Sequence, residues 1–291
     1  MDKKTEEEII FAARAKSVDS PVDPVRLKAE DRFCFSCHGG VSCWNKCCHG
    51  TDVVLTPMDI LVLSRHLGLR PQEFLLEHAI TANWEKADLP VAKLKMTGVD
   101  GQGACPFVTD AGCSVYEDRP ATCRYYPLGL ATVKMKGAKD KEDFHFLVKE
   151  SHCKGHEEDK QLSVKEFRAE QEVDYFDRVN RGWMDVLMKM ASWKTLGGPF
   201  GKDMTPQTKF MFLMVSTDVD ALRRFVLDTK FLEIYEVDPE TIEVIKTDDE
   251  ALLQVGFEWF KNVTFNESTI KMKEKVLQKA IAKAREDIGA A

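Results

Sequence analysis

The spacing of apolar residues changes character near residue 160. Beyond that point it repeats at helical intervals. Ser163 and Glu166 form an S-x-x-E capping box, and a helical pattern runs from there to about Trp193, where GGPFG (197–201) interrupts it. Further helical patterns cover about 205–216, 218–232, 249–262 and 267–287. The last places Ile270, Val276, Leu277, Ala280, Ile281 and Ala284 on one side. Closer to the N-terminus, TEEEIIFAARAK (5–16) predicts a short helix whose acidic first turn complements the helix dipole. Thr56 is a good N-cap, Pro57 suits the first helical position and Asp59 completes a capping signal. Ile60, Leu61, Leu63 and Leu67 then form a stripe that ends at Gly68, and Pro71 opens a second helix, PQEFLLEHAI, so the two read as a helical hairpin. Residues 128–135 and 144–148 alternate as two strands joined by the polar turn KGAKDKED.

One stretch fits no period. Residues 34–50 are poor in spaced apolar positions and rich in Cys, Gly and His, so something other than a hydrophobic face must order them. The expected architecture is therefore α+β: a metal-organised, Cys-rich irregular and helical domain with a small β-hairpin, followed by an α-helical C-terminal region. The expected boundaries are 1–32 for an N-terminal helix and lead-in, 33–156 for the cysteine domain and 157–291 for the helical region.

Composition narrows the function. With 291 residues and 44% hydrophobic content the chain can bury a sizeable core and is not a disordered polypeptide. A net charge of -7 argues against a general nucleic-acid binder, which needs excess Lys and Arg to neutralise phosphates. No apolar run reaches the length of a membrane span. The start MDKKTEEEII has no signal-peptide core, so a cytoplasmic location is expected. The acidic run from Asp218 to Glu250 reads as a solvated face, with docking of a basic protein partner through the helical region as the sharper alternative. Met184, Met188, Met211 and Met214 fall at helical spacing and read as core filling.

The nine cysteines all lie between Cys34 and Cys153. In a reducing compartment such clustering points to metal or redox chemistry, and the odd count suits a disulfide framework poorly. They read Cys34-x2-Cys37-x5-Cys43-x3-Cys47-Cys48, then Cys105-x7-Cys113-x9-Cys123, then Cys153. Thiolates are soft ligands that suit zinc, Cu(I) and iron–sulfur clusters. Adjacent Cys47 and Cys48 rarely bind one compact tetrahedral ion, because neighbouring side chains in extended backbone diverge. Two metals, a polynuclear cluster, or one ligand beside a supporting thiol fit better than a single zinc. The spacing matches neither zinc ribbons, nor the radical-SAM run, nor bacterial ferredoxins.

Other motifs add little. His38, His49 and His152 flank cysteines and are candidate ligands, although such histidines are more often exposed loop residues. Arg119 and Arg124 flank Cys123; each could offset thiolate charge or hold Glu117 or Asp118 in a turn. Tyr125, Tyr126 and Pro127 are expected to pack around the site and limit water. GVDGQG (98–103) lacks the strand and helix of a nucleotide-binding loop and reads as a connection. P-loop, HExxH and G-x-S-x-G motifs are absent, and no catalytic residue is assigned.

The segments CHGGVSCWNKCCHGTDVVLTPMDILVLSRHLGLRPQEFL, GACPFVTDAGCSVYEDRPATCRYYPLG and HCKGH resemble the YkgJ-like cysteine-cluster family, a zinc- or iron-chelating domain of CxxCxxCC type. The resemblance covers about 33–156. It falls on Cys37, Cys43, Cys47, Cys48, Cys105, Cys113, Cys123 and Cys153, and implies that these eight are metal ligands. The first spacings, x5 and x3, are wider than the family name implies, and Cys34 is a ninth, additional candidate. The resemblance implies metal ions as partners and an iron–sulfur cluster or zinc/iron as cofactor. The thiolate count and the Cys47–Cys48 pair favour iron–sulfur, with a redox role. The alternatives are a structural zinc-binding interaction module and a protein-modifying enzyme, since flagellin lysine N-methylases carry a related cysteine cluster.

Overall fold

A computed structural model describes residues 20–23, 25–98, 103–133, 142–197 and 204–287. The helix expected over 5–16 lies outside the described residues, as does most of the turn expected at 136–143. In chain order the elements are β1 (Arg32–Cys34), a 3-10 turn at Lys46–Cys48, α1 (Pro57–Leu67), α2 (Pro71–His78), β2 (Ala79–Trp84) and β3 (Leu89–Leu94). Then come β4 (Val108–Thr109), β5 (Gly112–Cys113), α3 (Ala121–Tyr125), β6 (Leu128–Val133), β7 (Glu142–Leu147) and β8 (Gln161–Ser163). The remaining helices are α4 (Val164–Glu170), α5 (Val173–Leu196), α6 (Pro206–Thr217), α7 (Val219–Asp228), α8 (Phe231–Ile234), α9 (Pro239–Val244), α10 (Asp249–Phe265) and α11 (Glu274–Asp287). The class is α+β, with small antiparallel strand pairs and a helical C-terminal region. No described helix is long and apolar enough to cross a membrane.

Contacts divide the chain into two compact units, each discontinuous in sequence. One contains residues 1–53 and 95–176, the other 54–94 and 177–291. Every cysteine belongs to the first.

The first unit is built from short strand pairs. β1 pairs antiparallel with β8, Arg32 opposite Ser163 and Cys34 opposite Gln161. β6 and β7 form the hairpin that alternation predicts, Leu128 opposite Leu147. Their inward faces join Leu27, Phe33, Phe35, Leu162, Val164 and Phe167 in one core, against which Tyr125, Tyr126 and Cys153 pack. Phe33 meets the ring of Phe167 edge-on at 5.6 Å. This core fixes the chain on both sides of the third cysteine group. The Ser163–Glu166 capping box forms as expected and starts α4. The long helix expected to follow is broken after Glu170. Glu172 takes a left-handed φ of 56°, and α5 restarts at Val173.

In the second unit, α1 carries the predicted capping box between Thr56 and Asp59 and ends at Gly68, whose φ of 66° suits a residue without a side chain. α2 ends two residues early, at His78. From Ala79 the chain forms a β2–β3 hairpin, Ala79 opposite Leu94 and Trp84 opposite Leu89, which the periodicity does not predict. Trp183, Phe212, Phe257 and Phe260 form an aromatic core among α5, α6 and α10. The expected methionine filling is corrected here. Met184 and Met188 are 47% and 40% exposed, Met211 and Met214 are half-buried, and it is Met190 that lies fully inside α5's buried face. α11 begins at Glu274, later than the pattern from 267, and α9 was not expected.

Candidate metal centre

Three cysteine-bearing stretches, far apart in sequence, are tied together within the first unit. Asn45 enters the Lys46–Cys48 turn with a φ of 65°, and its side-chain amide donates to Thr109 O at 2.8 Å. Cys105 N–H donates to Cys48 O at 2.7 Å, and Gly50 N–H to Gly103 O at 3.0 Å. Gly112 has a φ of 118°, and a Cβ there would lie 2.9 Å from Cζ2 of Trp44. Only glycine satisfies both the turn and the indole. These contacts join the first and second groups. The third group meets the first through Ser36 N–H to Gly155 O at 3.0 Å and Lys154 N–H to Cys43 Sγ at 3.1 Å. GVDGQG ends in a turn, with Gly103 N–H donating back to Thr97 O at 2.9 Å. Its residues 99–102 lie outside the described set.

All nine cysteines are free thiols. Cys43 is buried; Cys37, Cys47 and Cys123 are exposed; Cys34, Cys48, Cys105, Cys113 and Cys153 are half-buried. Cys47 and Cys48 have sulfurs 4.0 Å apart. Their hydrogen bond pulls the Cys47 thiol down to about 7 and pushes that of Cys48 far up. The pair thus sheds one proton easily and holds the other. Partial desolvation of its sulfur, although the residue as a whole is exposed, and then the neighbouring thiols of Cys47, Cys43 and Cys153, push Cys37 up to about 11. Burial also raises Cys105 and Cys113, with Cys113 partly relieved by the charge of Arg119. Cys48 is further raised by Cys105 and Cys123. Cys47 recurs among the causes for Cys37, Cys48, Cys105 and Cys113. Cys34, paired in β1, is not among the thiols that raise another.

The two arginines divide the two readings open to them. Arg124, 1% exposed, is an anchor. Its Nε donates to Arg119 O at 3.1 Å and its Nη1 to Gln171 O at 3.3 Å and Glu172 at 3.0 Å. Nη2 donates to Glu117 O, and the guanidinium lies 4.1 Å from the centre of the Phe176 ring. Arg119 lies 3.8 Å above the ring of Tyr116 and favours the charged form of Cys113. Gln171, Glu172 and Phe176 are thus site-supporting residues that the sequence reading missed. The only signal they offered was their position in what looked like an unbroken helix.

The histidines are engaged elsewhere. His38 uses Nε2 toward Glu158 (3.1 Å) and accepts from Gly40 N–H through Nδ1. His49 Nδ1 is 3.0 Å from Asn45 O, whereas His152 Nε2 is buried 3.5 Å from Glu150 and makes no hydrogen bond. Tyr126 reaches the site: its hydroxyl is buried, lacks a hydrogen-bond partner of good geometry, and stands against the Cys153 thiol.

Among the described residues, no three His, Cys, Asp or Glu side chains are already arranged to hold a metal ion. The donor chemistry nonetheless fits one. An all-sulfur set whose members raise one another's proton affinity is stabilised by a cation, which offsets that repulsion and takes the place of the protons. The sulfurs of Cys47 and Cys48 are neighbours; the ion itself would supply the attraction that draws the others into bonding reach.

A family model named CxxCxxCC and described as "Putative zinc- or iron-chelating domain" matches residues 36–179. No curated protein and no solved structure matches the chain. The match begins beyond Cys34 and takes in the other eight cysteines. It also continues past Cys153 through the residues that grip Arg124, taking in α4 and the start of α5.

Proposed function

Taking as premise that residues 36–179 are a member of the CxxCxxCC family of zinc- or iron-chelating domains, we propose that the protein holds an iron–sulfur centre through its cysteines and serves a redox role. The ligands are Cys37, Cys43, Cys47, Cys48, Cys105, Cys113, Cys123 and Cys153, within the 33–156 region. The observation that supports this reading is that hydrogen bonds tie three sequence-distant cysteine-bearing stretches together, with the sulfurs of Cys47 and Cys48 4.0 Å apart. When bound, such a centre supplies one-electron chemistry. The chain's own contribution is to fix the thiols, through the hydrogen bonds at Cys43 and Cys48 and the Arg124 anchor, and to leave Cys37, Cys47 and Cys123 open to solvent.

One observation favours zinc as a second reading. The strands nearest the cysteines are two or three residues long, and so sparse a scaffold resembles small domains that a structural ion holds together. The measurement that separates the two is metal and acid-labile sulfide on protein purified without oxygen. Iron and sulfide in matching amounts, with broad visible absorbance, support the first reading. Zinc without sulfide replaces it with the second, and absence of both metals overturns chelation.

A further inference from the structure

The contacts around the cysteines sort into two neighbourhoods. The first centres on the third cysteine group. Lys154 N–H reaches Cys43 Sγ, which puts Cys43 beside the residue that follows Cys153. Ser36 N–H holds Gly155 O, which places Cys37 at the same spot. A Cβ on Gly155 would come within 2.8 Å of Ser36 O, so the two strands of chain could hardly lie closer. The second neighbourhood centres on the second group. Cys105 N–H binds Cys48 O, Val108 N–H binds Cys105 O, and Val108 pairs with Cys113 across β4–β5. Cys123 follows in α3, which its neighbour Arg124 ties back to the main-chain oxygens of Glu117 and Arg119, just beyond Cys113. Between them stands the Lys46–Cys48 turn. Cys47 lies in that turn, exposed, with its sulfur 4.0 Å from that of Cys48.

We propose that the eight thiols make two adjacent four-thiolate metal centres: Cys37, Cys43, Cys47 and Cys153 in one, Cys48, Cys105, Cys113 and Cys123 in the other. They meet at the Cys47–Cys48 dipeptide. Four thiolates complete the coordination of either a tetrahedral zinc or a cubane cluster, so eight make two centres of either kind. The assignment of Cys47 follows from number as well as place. The second neighbourhood already has four sulfurs without it, and the first has three.

This inference rests on the chelation reading, and its test separates the two. The reduced, metal-free full-length chain is titrated with cobalt(II) under anaerobic conditions and followed by its thiolate charge-transfer absorbance and by native mass spectrometry. Two cobalt ions per chain are expected for the unsubstituted protein. Cys37→Ser and Cys153→Ser should each retain one ion, as should Cys113→Ser and Cys123→Ser, while the Cys37→Ser/Cys113→Ser double variant should retain none. Cys34→Ser should still bind two. No cobalt at all would overturn chelation itself. A single ion per unsubstituted chain would overturn the pairing of centres and leave chelation standing, whatever the variants do. If the variants keep the far-ultraviolet dichroism of the unsubstituted chain yet Cys37→Ser or Cys113→Ser alone loses both ions, the partition is wrong. The same holds if the double variant keeps one.

Discussion

Arg124 is the most enclosed charged side chain in the cysteine unit, and its worth is in what it satisfies. It covers the main-chain oxygens of Glu117, Arg119 and Gln171, while its carboxylate partner Glu172 is 62% exposed in its side chain. Arg124→Met fills much of the same volume and leaves those carbonyls without a donor. Urea unfolding should show a loss of about 2–4 kcal/mol. Glu172→Gln should cost less than about 1 kcal/mol, because a mostly solvated ion pair contributes little. The cysteine pair gives a second expectation. A thiol reacts as its thiolate, so alkylation speeds up as pH rises through its pKa. In metal-free protein Cys47 should label half-maximally near pH 7, and Cys37 should do so only toward pH 11. Cys48→Ala, by removing the hydrogen bond, should move the Cys47 midpoint upward, read by mass spectrometry of labelled peptides. These residue roles were only partly legible. The spacing around Cys123 flagged Arg124. Nothing local could show that its partners lie some fifty residues on, at a break in an apparently continuous helix.

Elements announced themselves where their ends carry chemistry. Thr56 with Asp59, Ser163 with Glu166, and Gly68 mark helix boundaries through side-chain hydrogen bonds or backbone freedom, and these formed as expected. Thr56→Ala should lower stability by about 1 kcal/mol in thermal or urea unfolding, with Asp59 unable to compensate from its side alone. The β2–β3 hairpin was hidden for the converse reason. β2 begins directly at the end of α2, β3 contains Pro90, and the turn between them takes its left-handed residue from Asp88 (φ 54°) instead of from glycine. Punctuation was therefore missing where the structure turns. Asp249, at the start of α10, shows how helices distant in sequence are joined. It pairs with Arg65 of α1 at 2.6 Å and with Arg223 of α7, and its side chain is only 18% exposed. Asp249→Ala leaves two guanidinium groups without their shared carboxylate. A loss of about 2–3 kcal/mol is expected, smaller than for a fully buried pair because Arg65 is half solvated.

At the scale of the whole molecule, the two units differ in what orders them. The second has an aromatic and aliphatic core and most of the described helix; the first has strands of two to six residues and a large share of free thiols. Removing metal with a chelator should open the first unit and spare the second. Limited proteolysis should then cut within 36–53 and 103–125, while the far-ultraviolet signal changes little because most helix lies elsewhere. The cysteine count and the helical C-terminal region were readable from the sequence, because composition and period are local. The interleaving was not, since it depends on which faces find each other. That interleaving bears on how the chain is made. Synthesis delivers Cys34 to Cys48 first, then residues 54–94, which belong to the other unit, and only afterwards Cys105 to Cys153. Residues 54–94 in turn must await 177–291. Neither unit can be finished in the order in which it leaves the ribosome. The first five thiols therefore emerge before Cys105, Cys113, Cys123 and Cys153 exist. A supply of reductant and a restrained supply of metal during translation become conditions for correct assembly.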